Sequence, residues 1–120
     1  MNTLVVFLGG GIGAVLRHGV NRLAVAWFGL GFPVGTLAVN VAGSFLMALA
    51  AGLLPGGSQG WRLFLATGVL GGFTTFSAFS LDALTLWQRG QAGTAALYVG
   101  GSVLLSLAAI ALGAAAARLL

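Results

Sequence analysis

The chain reads as an all-α membrane protein of four transmembrane helices, with the third broken at its centre. Three observations carry this reading. Of its 120 residues, 59% are hydrophobic and only 5% are charged, whereas soluble globular chains carry about 25% charged residues. The apolar stretches between those charges are long enough to cross a bilayer, which takes about 20 residues per helix. And "GVLGGFTTFSAF", residues 68–79, sets three glycines, three hydroxyls and three phenylalanines in the middle of one such stretch. One compact domain over residues 1–120 follows, with helices expected at about 3–28, 33–54, 61–88 and 92–117.

The first segment opens with Thr3 to Leu16, free of charge, and Gly9 and Gly13 form a small-xxx-small step suited to close helix packing. "GGGIG" has the look of a dinucleotide loop, but no strand precedes it and no βαβ unit surrounds it. Arg17, His18, Asn21 and Arg22 then fall on one helical face. That face needs water, a partner or headgroups rather than lipid tails. No Lys or Arg lies ahead of this apolar stretch and it outruns a signal-sized core, so the expectation is that no signal peptide is cleaved.

The second segment, "PVGTLAVNVAGSFLMALAAGLL", starts at Pro33, a favoured helix-start residue. It ends at Pro55-Gly56-Gly57, and its length gives about 33 Å of helix. Asn40 lies about two turns in, at hydrocarbon depth.

The third segment has Trp61 and Arg62 at one end and Trp87 and Arg89 at the other, the anchors expected where a helix meets the membrane surfaces. At its centre, Gly71-Gly72 followed by Thr74-Thr75 is where a membrane helix is expected to break. A break frees carbonyls and amides that lipid cannot satisfy. Freed carbonyls suit a cation such as sodium; the alternative is a kink whose Thr side chains re-satisfy the backbone. Phe76 and Phe79, at i and i+3, share a face. Their positive ring edges can meet an anion, or they can simply pack.

The fourth segment places Thr94, Tyr98, Ser102 and Ser106 at four-residue spacing. That hydroxyl stripe serves either as a permeation track or as glue between helices. Asn40 admits the same two readings.

The inventory excludes several classes. With no Cys there is no disulfide or thiolate chemistry. The net charge of +4 comes from scattered arginines, with no basic run to bind nucleic acid. Catalysis would have to use the lone His18 and Asp82, so the chain is read as a non-enzyme. Arg, amide, hydroxyl and phenyl edge are all donors, a pathway chemistry suited to a small anion.

Four spans put both termini on the side that holds Arg62 and Arg118. Arg22 and Arg89 lie opposite, with Arg17 arguable. This balance selects no orientation. A chain without preference can insert both ways and pair antiparallel, though with five cationic residues a bias is also hard to see. The Gly9/Gly13 and Gly68/Gly72 steps are taken as further support for pairing between copies.

"GGGIGAVLRHGVNR", "GTLAVNVAGSFLMA" and "GVLGGFTTFSAF", in this order and spacing, together resemble the CrcB/Fluc family of fluoride channels. The resemblance covers segments one to three, and the hydroxyl stripe extends it to segment four. It implies a passive channel that exports cytoplasmic fluoride across the cell (inner or plasma) membrane, built as an antiparallel, dual-topology homodimer with two pores. It implies that the break lies at the two-fold axis, where main-chain carbonyls of Gly71 and Thr74 from both copies hold a structural sodium ion. Phe76 and Phe79 correspond to the pore phenyls and Asn40 to the pore amide. Thr75 and Ser77 belong to the same motif, while Tyr98, Ser102 and Ser106 look like the polar track and Arg17 like the vestibule arginine. The family's usual "TTFSTF" is departed from at Ala78, where one hydroxyl is missing.

Two other classes compete. A small multidrug-type transporter, also dual in topology, would be expected to have a carboxylate in its first helix, but this chain has no Glu and its Asp82 lies in the third segment. A non-transporting membrane assembly protein would use the polar residues purely as glue. The parts of His18 and Asp82, and whether Thr36 or Ser44 touch the ion, are open at this point.

Overall fold

The computed structural model describes residues 1–54, 56 and 59–120, and all regular structure among them is helical. Helix α1 (Asn2–Phe28) and helix α2 (Val34–Leu53) are continuous. The third segment is composite. Helix α3, residues 59–73, begins as an α-turn at Gln59–Arg62, widens into π-type turns over Leu63–Leu70 and closes at Gly71–Phe73. Beyond a non-helical link at 74–76, helix α4 (Ser77–Gln88) resumes the segment, and helix α5 (Ala92–Leu119) is again continuous. Among the described residues four helical stretches are thus long and apolar enough to cross a membrane: Asn2–Phe28, Val34–Leu53, Gln59–Gln88 and Ala92–Leu119. Pro33 stands one residue ahead of α2, while Pro55 and Gly57, expected to end it, lie outside the described residues. Gly29 and Gly90 end α1 and α4 with φ of 76° and 78°, a left-handed conformation that side chains resist.

The principal extents are 50 × 31 × 22 Å, and the long one matches a bilayer with its headgroups, about 40–45 Å. Burial is sparse. The buried hydrophobic residues are Val39, Ala48, Leu70, Phe79, Leu86, Ala95, Tyr98 and Ala109, while Phe7, Val15, Leu97 and Leu104 are among many apolar side chains left outside. Lipid is the solvent for such a surface, so helices associate through close packing of small residues instead of a thick apolar core.

Helix α1 packs on α3 backbone to backbone. A Cβ at Gly9 would stand 2.6 Å from the Phe64 carbonyl oxygen, one at Gly68 would stand 2.9 Å from Gly9 Cα, and Gly13 abuts the Val69 carbonyl. The close step expected at Gly9/Gly13 is therefore present. Its partner is the backbone of α3 around Gly68 and Val69 in the same chain, so these glycines lend no support to pairing between copies. On the other side α2 packs along α5, with Gly113 seated on the Phe45 carbonyl and Gly52 against Ala117.

The third segment is broken in the stretch expected, Gly71-Gly72 followed by Thr74-Thr75, and the chain leaves the helix at the threonines. Gly71 is helical (φ −62°, ψ −39°), and the chain leaves the helix at Thr74 (φ −89°, ψ 158°). Gly72 serves close approach instead, since a Cβ there would collide with the Gly10 carbonyl.

Candidate functional site

Breaking a helix in lipid is tolerated only if the freed backbone groups find partners, and the link at 74–76 is organised around that need. Thr74 donates both its N–H (3.1 Å) and its Oγ1–H (3.0 Å) to the Leu70 carbonyl, which closes the last turn of α3. Thr75 is held from α2: its N–H donates to Asn40 Oδ1 at 2.8 Å, and Asn40 Nδ2 donates back to the Thr75 carbonyl at 2.9 Å. Thr75 Oγ1 in turn accepts from the Ala78 N–H at 3.1 Å, an N-terminal cap for α4. The Gly72 carbonyl accepts from Arg17 Nε at 3.1 Å.

Among the described residues the break leaves three carbonyls without a donor, those of Gly71, Phe73 and Thr74. In an unbroken helix the Thr75 N–H would close on Gly71 and the Ala78 N–H on Thr74. Those donors are committed to Asn40 and to Thr75 Oγ1. Gly71 is exposed and Thr74 half-buried.

Beside the link lies a cavity of about 320 Å³ walled by α2, the link, α4 and α5. Six of the nine pathway residues expected from the sequence line it: Asn40, Thr75, Phe76, Phe79, Ser102 and Ser106. The phenyl rings of Phe76 and Phe79 lie 5.5 Å apart, tilted by 49°. Phe79 is buried, whereas Phe76 is 78% exposed, so the cavity opens to the surface of the single chain at that ring. Ser102 is buried and its hydroxyl has no hydrogen-bond partner among the described residues. An unmet buried donor costs about 1–3 kcal/mol, so this one is available to a guest.

The other three expected residues stand outside the lining. Ser77 is exposed, with its Oγ 3.3 Å from Thr75 Oγ1. Tyr98 lies behind Phe79, ring centroids 5.2 Å apart, edge-on to Phe32 at 5.5 Å. Its hydroxyl donates to Asp82 Oδ2 at 3.1 Å. Asp82 lines a second cavity of about 290 Å³, with Asn21, Thr36, Thr85 and Arg89. Tyr98 therefore sits between the two cavities, touching the lining of each. Arg17 lines neither.

Five cavity residues carried no assignment from the sequence, Gly43, Ser44, Met47, Val103 and Ile110, and two of them bear on the link. Ser44 lines the wall and donates to the Asn40 carbonyl at 2.7 Å, and Gly43 makes room for the Thr74 methyl. A signal was available, because Gly43, Ser44 and Met47 follow Asn40 at i+3, i+4 and i+7, on its own helical face. Thr36, also left open above, belongs to the second cavity.

The fold and the site define a class: a multi-pass helical membrane protein with a broken third span and a donor-lined cavity at the break. Comparison with known proteins narrows it. A family model described as CrcB-like protein, Camphor Resistance (CrcB), matches residues 4–114. The chain is 53% identical over 121 residues to fluoride-specific ion channel FluC 2 of Nitrobacter hamburgensis, covering 98% of each chain. It is 56% identical over 113 residues to fluoride-specific ion channel FluC of Methylobacterium nodulans, covering 92% of this chain and 90% of that one. With the Cereibacter sphaeroides protein of the same name it shares 56% identity over 115 residues, 96% of this chain and 93% of the relative. The chain belongs to the CrcB family.

Proposed function

We propose that this protein is a fluoride-specific channel, a passive route for the anion through the cavity beside the broken span. The observation that carries this reading is the composition of that cavity. Its polar groups are the Asn40 amide, the hydroxyls of Ser44, Thr74, Thr75, Ser102 and Ser106, and the edges of Phe76 and Phe79, with no carboxylate among the described residues. Fluoride is small and tightly hydrated, so its path must replace water without binding too strongly to release it. One Asn40 N–H is spent on Thr75; the second N–H and the unpartnered Ser102 hydroxyl remain for the ion. Tyr98 and Ser77 extend the path beyond the cavity. Close relatives that bear the name fluoride-specific ion channel support the choice of anion.

The working unit in this reading is an antiparallel homodimer with dual topology in the cell membrane, in which a second copy covers the open side of the cavity at Phe76. The freed Gly71 and Thr74 carbonyls fit a sodium ion, since a hard cation takes oxygen ligands and two copies together offer four. Bound there, sodium would neutralise the carbonyl dipoles at the break. Hydrogen fluoride is neutral and crosses bilayers, then ionises inside the cell. A negative interior drives the anion outward by about 2.3 kcal/mol per 100 mV, so a passive path suffices for export.

The test is efflux of fluoride from liposomes containing the purified protein, followed with a fluoride electrode. Efflux well above protein-free liposomes, with chloride retained, is expected. No efflux, or equal passage of chloride, refutes the reading.

A further inference from the structure

The proposed conduction path depends on the link at 74–76 staying out of the helix, and the geometry points to Arg17 as a positioning residue that keeps it out. We propose that Arg17 acts through its hydrogen bond to the Gly72 carbonyl rather than as a charge that attracts anions at the mouth. This rests on the fluoride reading for its functional consequence but not for its structural one.

Gly9, Gly13 and Arg17 follow one another at four-residue spacing, so Arg17 continues the α1 stripe that packs on α3. The two glycines bring the backbones into contact, and Gly72 itself is seated on the Gly10 carbonyl. From there Arg17 Nε reaches the Gly72 oxygen at 3.1 Å. In an unbroken helix that oxygen would accept from the Phe76 N–H, a bond the extended Thr74 (ψ 158°) prevents. Arg17 supplies that oxygen with a donor instead. The link is thus gripped on two sides, by Arg17 at Gly72 and by Asn40 at Thr75. Without Arg17 the part-buried Gly72 oxygen is left without its donor, and recapturing the Phe76 N–H is its nearest remedy. That would rewind the turn and swing Phe76 away from the cavity it lines. A role at the mouth accords less well with the structure, because Arg17 lines neither cavity.

Side-chain topology separates the two roles. The amide nitrogen of glutamine and Nε of arginine each follow three carbons from Cα outward, so Arg17→Gln keeps the donor in place and removes the charge. Arg17→Lys keeps the charge but carries its nitrogen one bond further. Arg17→Met removes both. Fluoride efflux is measured for all three at low and high ionic strength, together with amide hydrogen exchange over residues 74–78. Arg17→Gln is expected within about threefold of the natural protein, with the same dependence on salt. Arg17→Met is expected to fall about tenfold or more at both salt concentrations and to gain exchange protection at Phe76. Wild-type efflux or unchanged exchange in Arg17→Met overturns the proposal. So does an efflux order of Arg17→Lys above Arg17→Gln with a deficit that shrinks as salt rises. Should Arg17→Met fail to assemble, that order decides alone, Arg17→Gln at or above Arg17→Lys supporting the proposal. If the natural protein moves no fluoride, the fluoride reading fails while the exchange data still judge the clamp.

Discussion

Replacing Asn40 with leucine keeps the volume of the side chain and removes both bonds that hold Thr75, at 2.8 and 2.9 Å. Two estimates of the cost compete. Interhelical hydrogen bonds between membrane side chains average about 0.6 kcal/mol each, because their partners find substitutes; a pair would then be worth about 1.2 kcal/mol. Here the partners are backbone groups fixed in a break, outside the helical hydrogen-bond ladder. Such groups bear the penalty of an unmet buried donor or acceptor, about 1–3 kcal/mol each, or about 2–6 kcal/mol for the pair. The larger figure should apply. Equilibrium unfolding in mixed SDS micelles, read by the fluorescence of Trp27, Trp61 and Trp87, measures it. Asn40→Asp is the companion variant. It retains the acceptor for the Thr75 N–H, so it is expected to lose less stability, while its carboxylate in the cavity abolishes fluoride efflux. A loss of about 1 kcal/mol or less in Asn40→Leu would mean that the link finds other partners, and that Asn40 does not define the break.

Phe76→Ile and Phe79→Ile keep apolar bulk and remove the ring edges; efflux from liposomes is expected to drop about tenfold or more for at least one, and full efflux in both would reduce the rings to packing. Gly72→Ala places a Cβ against the Gly10 carbonyl, which the backbones can relieve only by separating, at about 1–3 kcal/mol in the same unfolding assay. Gly11→Ala, with open space around it, serves as the control and should change little. At Gly71 a Cβ would meet nothing nearer than the Ala66 carbonyl oxygen at 3.6 Å. A single chain therefore accepts Gly71→Leu, and loss of the dimer in that variant, by cross-linking in lipid, would report a second copy at that point. A C-terminal tag should be labelled from both faces of the membrane, and labelling from one face alone would refute dual topology.

How far the sequence reaches can be judged residue by residue. The spans were legible because spanning is a local property: an apolar run of sufficient length with Trp and Arg at its ends needs a bilayer whatever else it touches. The break was legible as well, since Gly71-Gly72 and Thr74-Thr75 weaken a helix and offer hydroxyls to repair it. Which residue of that stretch leaves the helix was not. The departure at Thr74 is set by Asn40 gripping Thr75 and by Arg17 meeting Gly72, bonds that span 35 and 55 residues of sequence. The glycine steps tell the same story. Spacing of four marks a surface for close approach, but only the tertiary arrangement decided that Gly9 meets Gly68, Gly13 meets Val69 and Gly72 meets Gly10 of their own chain. Likewise the stripe of Tyr98, Ser102 and Ser106 announced one polar face on α5, and its hydroxyls then parted: Tyr98 to Asp82, Ser106 to the cavity wall, Ser102 to no partner. Periodicity is written along a single helix, so the sequence determined which groups share a face. Pairing depends on which helices lie side by side and at what depth, and that only the packed bundle decides.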